Sequence, residues 1–116
     1  ARAALKIDFD GFLVGHVGRI DPAKNHKAIL ELVEQLKPYA NNINFLFCGK
    51  DTDGDYFRGD IEQRGLKKQV WLMGLQKDMA VVYRALDVFL FPSVTEGQPN
   101  ALIEAMISGL PILASN

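Results

Sequence analysis

The chain has 116 residues, 48% of them apolar, with 13 Lys and Arg against 14 Asp and Glu for a net charge of −1. That is enough for one domain of about 100–200 residues with a real core, and the charge balance excludes a strongly basic nucleic-acid binder or an acidic disordered tail. A single cysteine excludes an internal disulfide framework, no apolar stretch approaches the ~20 residues of a membrane helix, and nothing at the start reads as a signal peptide.

The chain opens on Ala1-Arg2-Ala3 rather than Met and stops at Asn116 just after an apolar run, which reads as a piece of something longer. Residues 12–18, Phe-Leu-Val-Gly-His-Val-Gly, form a short apolar run ended by glycine, the pattern of a buried strand. After a polar turn from Arg19 to Asn25, the spacing of Ile29, Leu32, Val33 and Leu36 predicts a helix that stops before Pro38. Ile43 to Cys48, closed by Gly49, is a second strand. The polar stretch Lys50 to Asp55 leads to a short helix over about Tyr56 to Arg64, with Gly65 as its cap.

Val70 to Met73, closed by Gly74, is a third strand, and Lys77 to Ala85 a helix. Val88 to Phe91 is a fourth strand stopped by Pro92. The loop Ser93 to Gln98 enters a helix at about Pro99, a residue favoured in a first turn. That helix runs to Gly109, and Pro111 to Ala114 is a fifth strand. Apolar strands alternating with helices predict an α/β domain with a parallel sheet covered on both faces.

Ligands of such open sheets bind beyond the carboxyl ends of the strands, so the loops there carry the chemistry. After the first strand stand Gly18, Arg19 and Lys24. Glycine lets the backbone turn closely, the guanidinium is a planar fork of donors for phosphate oxygens, and the ammonium is a point charge. Two cations at a buried strand end suit a diphosphate; a pair of solvated surface charges is the plainer alternative. His16 inside the strand reads as a satisfied core histidine, and His26 as a packing or capping residue.

After the fourth strand comes Pro92-Ser-Val-Thr-Glu96-Gly97-Gln98-Pro99-Asn100, then Ala-Leu-Ile-Glu104. Gly97 permits close backbone approach, and a helix start offers amides to anions or hydroxyls. Glu96 and Glu104 could accept hydrogen bonds from vicinal sugar hydroxyls, or could simply suit the helix dipole. Val70, Leu72 and Gly74 line the third strand and its exit, either as core or as a platform for a planar base; Trp71 packs under a helix. Cys48 reads as a small buried apolar residue. Asp51-Thr-Asp53-Gly-Asp55, with Glu62 beyond, invites a calcium-loop reading. However, Tyr56 occupies the position where such a loop needs glycine, and a turn-forming acidic loop accounts for it.

Together these residues resemble the C-terminal, donor-binding domain of retaining GT-B glycosyltransferases of family 4, related to glycogen synthase and bacterial mannosyltransferases. Three blocks carry the resemblance. They are Gly18-Arg19 with Lys24-Asn25-His26, then Val70-Trp-Leu-Met-Gly74, then Asp87-Val-Phe-Leu-Phe-Pro-Ser93 into Glu96-Gly-Gln-Pro-Asn-Ala-Leu-Ile-Glu104-Ala-Met and Gly109-Leu-Pro111. The last is the most specific, because seven residues separate Glu96 from Glu104, the family's E-x7-E pattern.

The resemblance implies a three-layer Rossmann-like domain, the C-terminal half of a GT-B fold, and a nucleotide-diphosphate-sugar donor. It implies that Arg19 and Lys24 bind the diphosphate and offset its charge as it leaves, and that Glu96 holds the donor sugar. These three are the catalytic candidates. Glu104 would hold the ribose hydroxyls, and the backbone at Gly97, Gln98, Pro99 and Asn100 the sugar and distal phosphate. The strand-three exit from Leu72 to Leu75 would meet the base. No metal or other cofactor is expected, since fixed cations do the work a metal does elsewhere. The acceptor, a sugar or a lipid-linked sugar, would be bound by an N-terminal domain that this chain lacks, so the chain alone should transfer sugar poorly. A cytoplasmic enzyme touching the membrane peripherally fits a lipid-linked acceptor. The alternatives are a nucleotide-sugar epimerase or phosphorylase of the same fold, and a non-catalytic, flavodoxin-like binding module.

Overall fold

Alternation along the second strand decides the layering of this protein. The computed structural model describes residues 2–18, 26–92 and 99–115. Within them the elements run β1 (Phe12–Val17), α1 (His26–Gln35), β2 (Ile43–Cys48), α2 (Asp55–Gln63) and β3 (Val70–Gly74), then α3 (Met79–Ala85), β4 (Val88–Pro92), α4 (Pro99–Ile107) and β5 (Ile112–Ser115). Phe45 and Phe47 of β2 point into one core with Ile29, Leu30 and Val33 of α1 and Phe57 and Ile61 of α2. Leu46 and Cys48 point the other way, into a core with Val82 and Tyr83 of α3 and Ala105 of α4. Both faces of the strand are therefore covered, as its apolar run from Phe45 to Cys48 requires. Each phenylalanine, about 1% exposed, contributes roughly 1.5–3 kcal/mol by burial.

The strands form a parallel sheet in the order β3-β2-β1-β4-β5. The chain winds outward from β1 to β3, crosses back, and continues outward on the other side through β4 and β5. The winding reverses between β1 and β4, and each half puts its helices on its own face. This is the three-layer Rossmann-like arrangement expected.

The boundaries differ from the expectation in ways that the backbone explains. Strand β1 ends at Val17, and Gly18 is already a bend. Helix α3 begins at Met79 rather than Lys77, because the Asp78 carboxylate accepts from the Val81 amide at 3.4 Å and caps it. Helix α4 stops at Ile107 rather than Gly109. There the Gly109 amide donates to the Met106 carbonyl and the Leu110 amide to Ala105, with Gly109 at φ +79°. This is a Schellman closure, and Gly65 at φ +71° closes α2 in the same way. Short 3₁₀ turns at Lys37–Tyr39 and Lys67–Gln69, not anticipated, continue from α1 and lead into β3.

At the amino end of the sheet, Asp87 ties β4 to β1. Its carboxylate accepts from the Leu13 amide at 2.8 Å and from Arg2 at 2.9 Å, while Arg2 also donates to the Ala85 carbonyl. Asp87, part of the most specific sequence block, is thus a fastening residue at the amino end of the sheet, opposite to the loops that carry the candidate site residues.

Candidate functional site

At the carboxyl end of the sheet the loops after β1, β2 and β3 are joined backbone to backbone. The Gly18 amide donates to the Cys48 carbonyl at 2.9 Å, and the Gly49 amide to the Gly74 carbonyl at 2.7 Å. Gly49 has φ +135°, and a Cβ there would stand 2.4 Å from the Gly18 carbonyl oxygen. Only glycine allows both the conformation and the approach. Thr52, fully buried, supplies the side-chain pin: its hydroxyl donates to the Gly49 carbonyl and accepts from the Gly74 amide, each at 2.8 Å. The rim is therefore a fixed backbone surface, the kind that can approach a ligand closely without side chains intervening.

The reversal of winding between β1 and β4 is the topological switch point at which ligands of such sheets lodge. The β1–β4 ladder pairs Val14 with Val88 and Gly15 with Phe89. Beyond those pairs the His16 ring takes over, with Nδ1 3.1 Å from the Leu90 carbonyl. A carbonyl only accepts, so Nδ1 carries the proton. The ring is 4% exposed and packs edge-on against Phe47. Burial lowers its pKa below the ordinary histidine value, against the opposing pull of the Leu90 hydrogen bond. His16 is thus the satisfied core histidine expected. Cys48 is a buried free thiol, pushed up to about 11 by burial, with the Gln76 amide pulling the other way. It matches the small buried apolar residue expected.

Glu104 lies in the second turn of α4, five residues and about 7.5 Å along the axis from Pro99. Its neighbour Ala105 is fully buried and packs on the sheet, which leaves the Glu104 carboxylate at the flank facing α3. There Oε1 accepts from the Tyr83 hydroxyl at 2.9 Å. Tyr83 is 2% exposed, and its ring meets Phe89 of β4 edge-on at 6.1 Å. Burial, then the Glu104 contact, hold the phenol well above its ordinary pKa, so it stays a neutral donor. An open cavity of about 220 Å³ adjoins the pair, lined by Met79, Ala80, Tyr83, Glu104, Ile107 and Ser108.

Of the residues singled out in the sequence, Gly18 is at the rim and buried, and Glu104 is on α4 as described. Leu75 is 76% exposed just past β3, whereas Leu72 is half-buried within β3 and packed on the α1–α2 side. The structure does not bring these two leucines together. Pro99 and Asn100 are the first residues of α4. Arg19, Lys24, Glu96, Gly97 and Gln98 lie outside the described residues, as does the turn containing them. Trp71 packs with the α3–α4 core and its Nε1 donates to Asn44 at 3.0 Å. In the acidic loop, Asp51 takes φ +67°, and the Asp53 carboxylate lies where a Cβ on Gly74 would clash, at 2.6 Å. Among the described residues no group of three His, Cys, Asp or Glu side chains is arranged to hold a metal ion.

Thr52 and Tyr83 were not singled out. The signal for Tyr83 was present: a tyrosine among Val82, Ala85 and Leu86 on a buried helix face needs a partner for its hydroxyl. Thr52 was masked by the charged residues around it.

Comparison with known proteins matches the whole chain, residues 1–116, to the family described as Glycosyl transferases group 1. The capsular polysaccharide biosynthesis glycosyltransferase CapH of Staphylococcus aureus is 36% identical over 104 residues, covering 87% of this chain and 29% of CapH. The UDP-Gal:alpha-D-GlcNAc-diphosphoundecaprenol alpha-1,3-galactosyltransferase of Escherichia coli is 33% identical over 116 residues, covering 92% of this chain and 28% of that enzyme. Among solved structures, a variant of S. aureus TarM in complex with fondaparinux, alpha-GlcNAc-glycerol and UDP superposes with a TM-score of 0.77 at 28% identity, over 91% of this chain and 22% of TarM. The chain spans less than a third of the length of each of these relatives.

Proposed function

The chain belongs to the group 1 glycosyl transferases, and from that premise we propose that it is the donor-binding domain of a retaining, family 4 hexosyltransferase. The reaction moves a sugar from a nucleotide-diphosphate-sugar to an acceptor held by a separate N-terminal domain. Support comes from the Glu104 carboxylate, anchored by Tyr83 on the helix that follows β4 at the winding reversal. UDP in the TarM complex and the UDP-Gal donor in the name of the E. coli relative favour a uridine nucleotide.

In this reading Arg19 and Lys24 grip the diphosphate and stabilise the negative charge that grows on it as the glycosidic bond breaks. Fixed cations of this kind make a metal ion unnecessary. Glu96 orients the donor sugar, and the backbone at Gly97–Asn100 meets the sugar and distal phosphate. Glu104 accepts hydrogen bonds from the ribose hydroxyls. The base rests at the β3 exit near Leu75, with Leu72 supporting the strand from beneath. The undecaprenol-linked acceptor in the name of the E. coli relative is consistent with a lipid-linked acceptor and a cytoplasmic site of action at the membrane face.

The test titrates UDP-, GDP- and ADP-sugars into the chain and into an Arg19→Ala, Lys24→Ala double variant. Loss of two charged contacts weakens binding at least about tenfold; equal affinities for both proteins contradict the diphosphate assignment. Retention is read separately, as the anomer of the product formed by the full-length enzyme.

A further inference from the structure

Glu104 is an exposed glutamate on a helix, and such a side chain ordinarily samples several rotamers. Here it does not stand alone. The Tyr83 hydroxyl donates to Oε1 at 2.9 Å from a ring that is 2% exposed. That ring is held by its edge contact with Phe89, the second residue of β4, and by packing in the α3–α4 core. A carboxylate has about four lone-pair positions. One hydrogen bond to Oε1 restrains the orientation of the group, while Oε2 and the second Oε1 lone pair retain the capacity to accept from further donors. Two acceptor positions on one restrained carboxylate match the two adjacent hydroxyls of a ribose. Because burial keeps the Tyr83 phenol protonated, it donates throughout the ordinary pH range.

We propose that Tyr83 is a positioning residue for nucleotide recognition: its hydroxyl presets the Glu104 carboxylate to accept the ribose 2′- and 3′-hydroxyls of the donor. The inference rests on the reading of Glu104 as the ribose-holding carboxylate and adds the residue that orients it. In this role Tyr83 acts through Glu104 and not on the substrate directly. It connects β4, which leads towards Glu96 in the sequence, to the α4 carboxylate eight residues beyond Glu96, so one core tyrosine aligns the ribose contact with the sheet.

The experiment compares wild type, Tyr83→Phe and Glu104→Ala in titrations with UDP, GDP and ADP, each against its 2′,3′-dideoxy form, read on the tightest binder. Thermal melting of each variant runs alongside. Wild type should prefer the ribonucleotide. Tyr83→Phe should lower that preference about fivefold, the scale of one hydrogen bond, with affinity for the dideoxy form unchanged. Glu104→Ala should abolish the preference. A tyrosine that only fills the core would lower the melting temperature and leave the preference at its wild-type value. That result, with Glu104→Ala still abolishing the preference, overturns the positioning role alone. An unchanged preference in Glu104→Ala overturns the ribose assignment beneath it, as does failure of wild type to bind any of the three nucleotides.

Discussion

Protonating His16 would place a cation between β1 and β4, where the ring is 4% exposed and its Nδ1 is already committed to the Leu90 carbonyl. Desolvation lowers the folded pKa, the Leu90 hydrogen bond only partly opposing it. The unfolded chain, with an ordinary value of about 6.5, therefore binds more protons than the fold between the folded value and that pH. Stability rises with pH across this window: the contribution is fully present above about pH 6.5 and is lost as pH falls below it. The measurement is the urea midpoint of wild type and His16→Gln between about pH 7.5 and pH 5.5, a range that brackets the histidine transition. Wild type should lose stability more steeply on acidification than the variant, whatever their difference at neutral pH. Parallel profiles would contradict a buried neutral His16.

Helix ends and interiors place opposite demands on glycine, and this chain offers a clean pair. Gly59 lies within α2 and Gly109 just past α4; a Cβ at either position meets nothing within 4 Å. Packing is therefore the same and only backbone conformation differs. Gly59→Ala should stabilise by about 0.5–1 kcal/mol through reduced freedom of the unfolded chain and better helix propensity. Gly109→Ala, forced to adopt φ +79°, should destabilise by about 1–2 kcal/mol. Differential scanning calorimetry reads the two shifts; a common sign would contradict the assigned backbone geometry. These elements were legible because their signals are local: apolar runs for the strands, helical spacing at Ile29–Leu36, and glycine after α2 and α4. The 3₁₀ turns were not, since three residues carry no hydrophobic period. The start of α3 was not legible either: the cap made by the Asp78 carboxylate sets the boundary at Met79 rather than Lys77.

Across the whole molecule, parallel topology gathers distant segments at one end of the sheet. Gly18, Gly49 and Gly74 meet there through backbone hydrogen bonds with Thr52 pinning them, and α4 starts from the same end after the loop beyond β4. That the loops after the strands share one end of the sheet could be read from strand–helix alternation alone, because strands joined by helical crossovers run parallel. Which residues touch could not. Tyr83 and Glu104 are 21 positions apart on separate helices, and only the crossing back from β3 to β4 sets those helices side by side. Likewise Asp87 belongs to the most recognisable block yet serves the opposite end of the sheet, since a motif reports proximity in sequence, not in space.

The most direct measurement of the central claim, that this domain receives a nucleotide-sugar at the carboxyl end of its sheet, is an amide NMR titration of the isotopically labelled chain with UDP. The proposed function predicts saturable shifts concentrated at Gly18, Gly49, Gly74 and the α4 residues around Glu104, with Gly11, Leu13 and Asp87 at the amino end undisturbed. Shifts confined to the amino end, or spectra unchanged at millimolar UDP, GDP and ADP, would contradict it.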